Sequence, residues 1–383
     1  MRSNDPLISI IEDELRQQGG RISFYRFMEL CLYHPQYGYY NSPDFRLGKT
    51  GDFYTSAHTG PVFARILAGY LESRWREAGQ QPRVEFLELG PGDGSLAAEL
   101  LSWIGQRYPE FFEGLFYTAV EQSASLRSRL QDTLLPFGGH ARVVAAWEEV
   151  GTVPAPAPSL IQRCVFANEF FDALPVHLLV WRDERWRERF VCLEGSRLSW
   201  CEADPGSPEL IEDADTRFAC GSKPSERDAG WVAEISPRAA EWMNTISQWL
   251  LGGSPQSELL VIDYGYTLEE WRQGRFPQGS AMAYRHHQAL DDLLSLPGGQ
   301  DLTVHVNFTS LIETGTKAGL QLRNFVSQSK FLTTIGENNQ FQDAFLDCGS
   351  EAERFRRAHL LKTLILPQGM GEIFRVLVMS KSE

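Results

Sequence analysis

The sequence predicts an α/β fold: a mostly parallel sheet preceded by a helical addition and interrupted by a β-rich insertion. Three observations carry this. Short apolar runs with β character alternate with amphipathic helical patterns from Val84 to about Asn168, and the alternation resumes at Leu259. The first run, Val84–Leu89, drives into Gly90-Pro91-Gly92-Asp93-Gly94, and a helix-forming segment starts at once with Ser95. From Leu178 to about Trp200 the rhythm changes to short alternating strands with turn residues between them. The expected organisation is an N-terminal helical extension over 1–50, a ligand-binding half of the core over 51–177, and a β-rich, substrate-side insertion over 178–230. Residues 231–383 complete the core with C-terminal helices and closing strands.

Each element has its own signal. Asp5-Pro6 is an N-cap and N1 pair, and Leu7, Ile8, Ile11 and Leu15 form a helical stripe that stops at Gly19-Gly20. Ser23 caps a second helix through about Tyr33, and the aromatic-rich turn His34–Tyr40 follows; the two helices form an N-terminal addition able to lid the cofactor. After a polar loop, Gly60-Pro61 opens a helix carrying Phe63, Ile66, Leu67, Tyr70, Leu71 and Trp75. Later strands are expected at Leu115–Val120, Val143–Ala145, Cys164–Ala167 and Leu259–Asp263, with Leu320–Val326 and Ile373–Met379 as a closing antiparallel pair. The acidic stretch Asp204–Asp215 reads as loop. Ser236-Pro237 and the Thr267–Glu270 capping box each start a helix.

The glycine turn selects its ligand. A dinucleotide site wants G-x-G-x-x-G with the pyrophosphate on the helix N-terminus. Here the third glycine comes one residue early, and Glu88 stands two residues before the first. That carboxylate repels a pyrophosphate and suits an ammonium, which favours S-adenosyl-L-methionine (product S-adenosyl-L-homocysteine) over a nicotinamide dinucleotide. Glu121 closes the second strand, where one carboxylate can accept both ribose hydroxyls, and Gln122 follows it. Trp147, just past the third strand, is either an adenine-stacking ring or an ordinary core or surface Trp. The expected cofactor set is Thr55, Ser56, Glu88, Gly90, Pro91, Gly92, Gly94, Glu121, Gln122, Trp147 and Asn168.

Composition narrows the partners. The 383 residues carry a net charge of -14, which opposes nucleic acid and anionic membranes as broad binding surfaces and favours a basic protein or peptide. No apolar run is long enough for a membrane span. Six scattered cysteines with no C-x-x-C pair indicate neither zinc nor a disulfide framework, and the neighbouring His286 and His287 lack a third ligand at a recognisable spacing, so no metal is expected. The first residues lack both an apolar signal core and an Arg-rich transit face, so a cytoplasmic setting follows by default. A homodimer is left open.

Seven stretches, in order along nearly the whole chain, resemble the MidA family of S-adenosyl-L-methionine-dependent methyltransferases. They are Gly51–Ser56, Glu88–Gly94, Ala167–Pro175, Glu234–Pro237, Asp263–Gly265, His305–Phe308 and Gly369–Phe374. The resemblance implies a class I Rossmann-like methyltransferase fold. It also implies transfer to a protein arginine, as in the mitochondrial members that act on a core subunit of respiratory complex I during its assembly. An arginine acceptor is charged and delocalised, so carboxylates must polarise it; Glu169, Asp172 and Glu234 are the candidate catalytic residues. Phe170, Tyr264, His305 and Asn307 are the candidate substrate residues. The chain departs from the family at Ala57-His58, in place of Pro-Glu, and at Asn307, in place of an Asp. The competing readings are another amino acceptor (a small molecule or a nucleobase, with Asn168 accepting from its NH₂) and an S-adenosyl-L-methionine-binding assembly factor with little turnover.

Overall fold

A computed structural model of the chain describes residues 6–42, 60–151, 161–219, 229–285 and 288–381. At its centre is an eight-stranded sheet, in which the short strand Val306–Asn307 pairs parallel with Glu258–Tyr266 beside a path of seven. The strands of that path in chain order are β1 (Val84–Leu89), β2 (Leu115–Val120), β3 (Ala141–Val144), β4 (Gln162–Asn168), β5 (Glu258–Tyr266), β6 (Leu320–Ser327) and β7 (Phe374–Lys381). Their spatial order is 3-2-1-4-5-7-6. The first five run parallel, and β7 enters antiparallel between β5 and β6. The order reverses between β1 and β4, so the ends of those two strands open a crevice at the sheet's carboxyl edge.

The central strands are buried on both faces: every residue of β1 and of β5 is buried. This explains why they read as near-continuous apolar runs rather than as alternation. The Pro61–Glu77 and Ser95–Arg107 helices pack one face through Phe63, Leu67, Leu100 and Ile104. The Pro237–Leu251 and Phe308–Lys317 helices pack the other through Met243, Ile246, Leu250 and Leu311.

A second, antiparallel sheet combines His177–Arg182, Arg185–Glu194, Arg197–Ala203, Val232–Ile235 and the short strand Arg21–Ser23. Val232–Ile235, on the core side of the boundary expected at 230, is hydrogen-bonded into this sheet. The Pro6–Gln17 and Phe24–Tyr33 helices share one apolar cluster with it: Leu7, Ile11, Phe27 and Met28 meet Leu178, Val180 and Val191. Met282–Arg285, Gln288–Leu290 and Asp301–Thr303 form a third small sheet whose Ala283 and Leu302 join the same cluster.

One local expectation fails. Within Asp204–Asp215, read as loop, Pro208–Ala214 is helical. Ser207 and Pro208 are start signals that the run of acids obscured, and Leu210, Ala214 and Phe218 recur at i, i+4 and i+8 to pack against Trp186 and Trp271.

Candidate active site

The crevice holds a cavity of about 500 Å³, within the range of roughly 300–1,000 Å³ that small-molecule sites occupy. Its floor is the glycine turn. Gly90 has φ 62°, and a Cβ there would sit 3.2 Å from the Phe170 ring. Gly94 has φ 78° and caps the Ser95–Arg107 helix; a Cβ would meet Leu130 Cδ1 at 2.4 Å. Gly94 therefore shapes the turn without lining the cavity, whereas Gly90, Pro91 and Gly92 line it.

Two buried carboxylates face this floor. Glu88, 3% exposed, accepts a hydrogen bond from the Tyr117 hydroxyl at 2.5 Å. Glu121 ends β2 and accepts from the Ser123 backbone N–H at 2.8 Å. Burial pushes each carboxyl up to about 7, against the weaker opposing pull of these hydrogen bonds. Desolvation disfavours the anion, so a ligand that brings a cation and hydroxyl donors restores what water would have supplied. Gln122 and Trp147 line the same end, and Trp147 stands edge-on to Trp242 with ring centroids 5.7 Å apart.

The other end is built by the loop after β4. Asp263 on β5, fully buried, accepts from the backbone N–H groups of Phe171 (3.1 Å) and Asp172 (3.3 Å) and from that of Tyr264 (2.9 Å). It fixes the loop, and burial beside Asp172 pushes its carboxyl well up. Asp172 is 4% exposed; one oxygen accepts from the Tyr264 hydroxyl at 2.5 Å, and the other, Oδ1, has no hydrogen-bond partner. Desolvation raises its pKa too. Glu169 has φ 52°, a left-handed conformation unusual for a side-chain-bearing residue, and its Oε1 accepts from Asn168 Nδ2 at 3.3 Å. Asn168, Glu169, Phe170 and Asp172 all line the cavity.

Other expected site residues lie apart from it. Glu234 is buried away from the cavity lining, and its carboxylate accepts from Ser280 N–H, Ser280 Oγ and Ala281 N–H at 2.8, 2.5 and 2.8 Å. With three donors in place it holds the 280–281 turn. Tyr264 reaches the cavity only through Asp172. His305 packs between Tyr264 and Phe276, and burial pulls its pKa down to about 4, so it is neutral. Asn307 is the N-cap of the Phe308–Lys317 helix, its Oδ1 accepting from Ser310 N–H at 3.2 Å. An Asp can make the same cap, so this departure from the family bears on a helix end rather than on the cavity. Thr55, Ser56, Ala57, His58, His286 and His287 lie outside the described residues. Among the described residues no group of three His, Cys, Asp or Glu side chains is placed to hold a metal ion.

The cavity's roof was not foreseen in detail. Tyr25, Glu29, Tyr33, Tyr39 and Tyr40 from the N-terminal segment line it, with Asp301, Thr303, Arg238 and Trp242. Three hydrogen bonds tie the roof to three walls: Tyr33 Oη to Ala173 O (2.9 Å), Ser123 Oγ to Tyr40 O (2.8 Å) and Tyr40 Oη to Asp301 Oδ1 (3.0 Å). The tyrosine-rich turn was visible in sequence; its partners, far along the chain, were not.

The strand order, the glycine floor and the acid at the tip of β2 define a class I methyltransferase that uses S-adenosyl-L-methionine. A family model for S-adenosyl-L-methionine-dependent methyltransferases matches residues 66–326, and the chain belongs to that family, the MidA methyltransferases. Among curated relatives it is 27% identical over 372 residues to the protein arginine methyltransferase NDUFAF7, mitochondrial, of Danio rerio, covering 93% of this chain and 82% of the relative. It is 28% identical over 379 residues to the same-named protein of Homo sapiens, covering 93% of this chain and 79% of that one. A Burkholderia thailandensis protein crystallised with S-adenosyl-homocysteine superposes with a TM-score of 0.82 at 28% identity, over 99% of this chain and 92% of that one. The donor is S-adenosyl-L-methionine. The cytoplasmic setting expected from the N-terminal residues is corrected by these relatives, which are named as mitochondrial. The lack of an apolar or Arg-rich N-terminal stretch carried no positive information about compartment. No described helix is long and apolar enough to cross a membrane.

Proposed function

We propose that this methyltransferase acts on an arginine side chain of a protein. The observation that carries the reading is Asp172: a carboxylate 4% exposed, lining the donor cavity, with Oδ1 unpartnered. A buried acceptor without a donor is costly, about 1–3 kcal/mol and more for a charged group. A planar cation carrying several N–H donors, bound against this wall of the cavity, would satisfy such an acceptor and neutralise its charge. The names of the curated relatives support the same acceptor. A respiratory complex I-type subunit is the protein the family resemblance implies, and the net charge of -14 favours a basic peptide over nucleic acid.

Glu88 would receive the donor's ammonium, Glu121 its ribose hydroxyls, and Trp147 its adenine. Bound there, S-adenosyl-L-methionine supplies an electrophilic methyl on a sulfonium. Asp172 would hold the guanidinium, draw positive charge away from one nitrogen, and take that nitrogen's proton as the methyl passes from sulfur to nitrogen, the S–C bond electrons staying on sulfur as the neutral thioether of S-adenosyl-L-homocysteine. Tyr264 keeps the carboxylate oriented from behind. Phe170, Tyr33 and Tyr40 exclude water. Glu169 stands at the same wall as a second carboxylate for the acceptor.

Transfer of a tritiated methyl group by the purified protein into an arginine-containing peptide pool tests this. Hydrolysis of the product should return label as Nω-methylarginine, and Asp172→Asn should lower turnover at least about 100-fold with S-adenosyl-homocysteine affinity within a few-fold. Label in lysine, histidine or RNA, or an Asp172→Asn variant that turns over normally, would refute the assignment.

A further inference from the structure

The cavity is lined by a further acidic group that the account so far leaves unused. Asp301, 7% exposed, comes from the small third sheet and is held by the Tyr40 hydroxyl at 3.0 Å. Tyr33 and Tyr40 line the same cavity, where burial first and the carboxylates of Asp172 and Asp301 next push their hydroxyls well above the usual range. Both carboxylates line one cavity together with Tyr33 and Tyr40, Asp172 from the loop after β4 and Asp301 from the third sheet, and the Val304 N–H donates to Asp172 O at 2.9 Å to join the two segments. Two buried like charges sharing one space repel unless a cation lies between them. The cavity that both carboxylates line, about 500 Å³, has room for a guanidinium.

We propose that Asp301 is the second jaw of the acceptor site: it grips the far edge of the guanidinium whose near edge Asp172 holds, and Tyr40 sets its orientation. This deepens the arginine reading and rests on it. A guanidinium has N–H donors on three sides of a plane, so two carboxylates can be satisfied at once, whereas a lysine ammonium is a compact point charge that does not span them. Selectivity for arginine over lysine thus comes from the pair. Asp301 binds and orients, while Asp172 also accepts the proton. The N-terminal segment is part of the acceptor site, because without Tyr40 the second jaw loses its support.

The test uses the full chain saturated with S-adenosyl-homocysteine and titrated by NMR with N-acetyl-arginine methylamide and with its lysine and citrulline counterparts. Wild type should bind the arginine compound at least about tenfold more tightly than either counterpart. Asp301→Asn should erase most of that difference while binding S-adenosyl-homocysteine as before. In peptide transfer, Asp301→Asn should raise KM at least about tenfold with kcat changed little, whereas Asp172→Asn lowers kcat. Tyr40→Phe, which removes one hydroxyl and keeps the ring, should raise KM about three- to tenfold; it serves as the readout if Asp301→Asn does not fold. Unchanged arginine binding and KM in both variants would overturn the role of Asp301 and leave the arginine reading standing. Wild type without preference for the arginine compound would overturn both.

Discussion

At the residue scale the site is a set of carboxylates kept dry. Glu88 and Glu121 are each pushed up to about 7 by burial, and the proposed function requires both to be ionised, Glu88 for an ammonium and Glu121 for a ribose diol. Affinity for S-adenosyl-homocysteine should therefore rise between about pH 5.5 and 7.5, by up to tenfold per pH unit for each group, and level off above. Isothermal titration across that range measures it; a flat profile would show that neither group meets the ligand. The linkage for the ligand-free protein has the opposite sense. A carboxyl whose folded value is raised stabilises the fold at pH below about 4.5 and loses that contribution as pH rises through about 7. The melting-temperature increment given by S-adenosyl-homocysteine should accordingly be larger at pH 8 than at pH 5.5. Gly94→Ala should abolish binding, because φ 78° and the 2.4 Å approach to Leu130 displace the helix start.

Elements deliver these residues, and their ends matter most. Ser123 does two jobs: its hydroxyl accepts from Leu126 N–H to cap the Ala124–Leu134 helix and donates to Tyr40 O in the roof. Ser123→Ala should cost about 1 kcal/mol of stability and also raise the acceptor KM; denaturant unfolding and peptide kinetics read the two effects separately. Asn307→Asp gives the contrasting expectation. Since the side chain caps a helix, the substitution should change stability by less than about 0.5 kcal/mol and leave turnover unchanged. A change of tenfold or more in KM would put position 307 back in the acceptor site.

These elements also show what the sequence made legible. The strand–turn–helix at Val84–Arg107, the acid at the tip of β2 and the positions of the core strands along the chain follow from local signals: apolar runs, glycine spacing, Ser-Pro caps. Asp263 stood in a stretch that resembles the family, but its work is tertiary, three backbone N–H groups converging on one carboxylate. Glu234 carried the same kind of sequence signal and turned out to brace a turn, because whether an acid meets a cavity or a backbone turn is decided by packing. Asp301 was invisible for a related reason: the Tyr40 that positions it lies 261 residues away along the chain.

At the scale of the whole molecule, the N-terminal segment does not stand alone beside the core. Leu7, Ile11, Phe27 and Met28 bury against the insertion sheet and the third sheet in one apolar cluster, each contributing about 1.5–3 kcal/mol. Removing residues 1–42 should therefore not yield a trimmed, working enzyme. The expected product binds a hydrophobic dye and sediments as aggregate, and a monomeric truncated protein with normal transfer would contradict this architecture. Under the proposed function the core sheet provides the donor end of the cavity, while the roof and the third sheet close the acceptor end.

The most direct test of that claim is a crystal structure of the full chain with S-adenosyl-homocysteine and methylguanidinium. The account predicts the homocysteine ammonium at Glu88 and the ribose hydroxyls at Glu121, each at about 3 Å. It also predicts the guanidinium at hydrogen-bond distance from Asp172 Oδ1, with one nitrogen facing the sulfur. A nucleoside bound outside the glycine turn, or guanidinium density nowhere near Asp172, would contradict it.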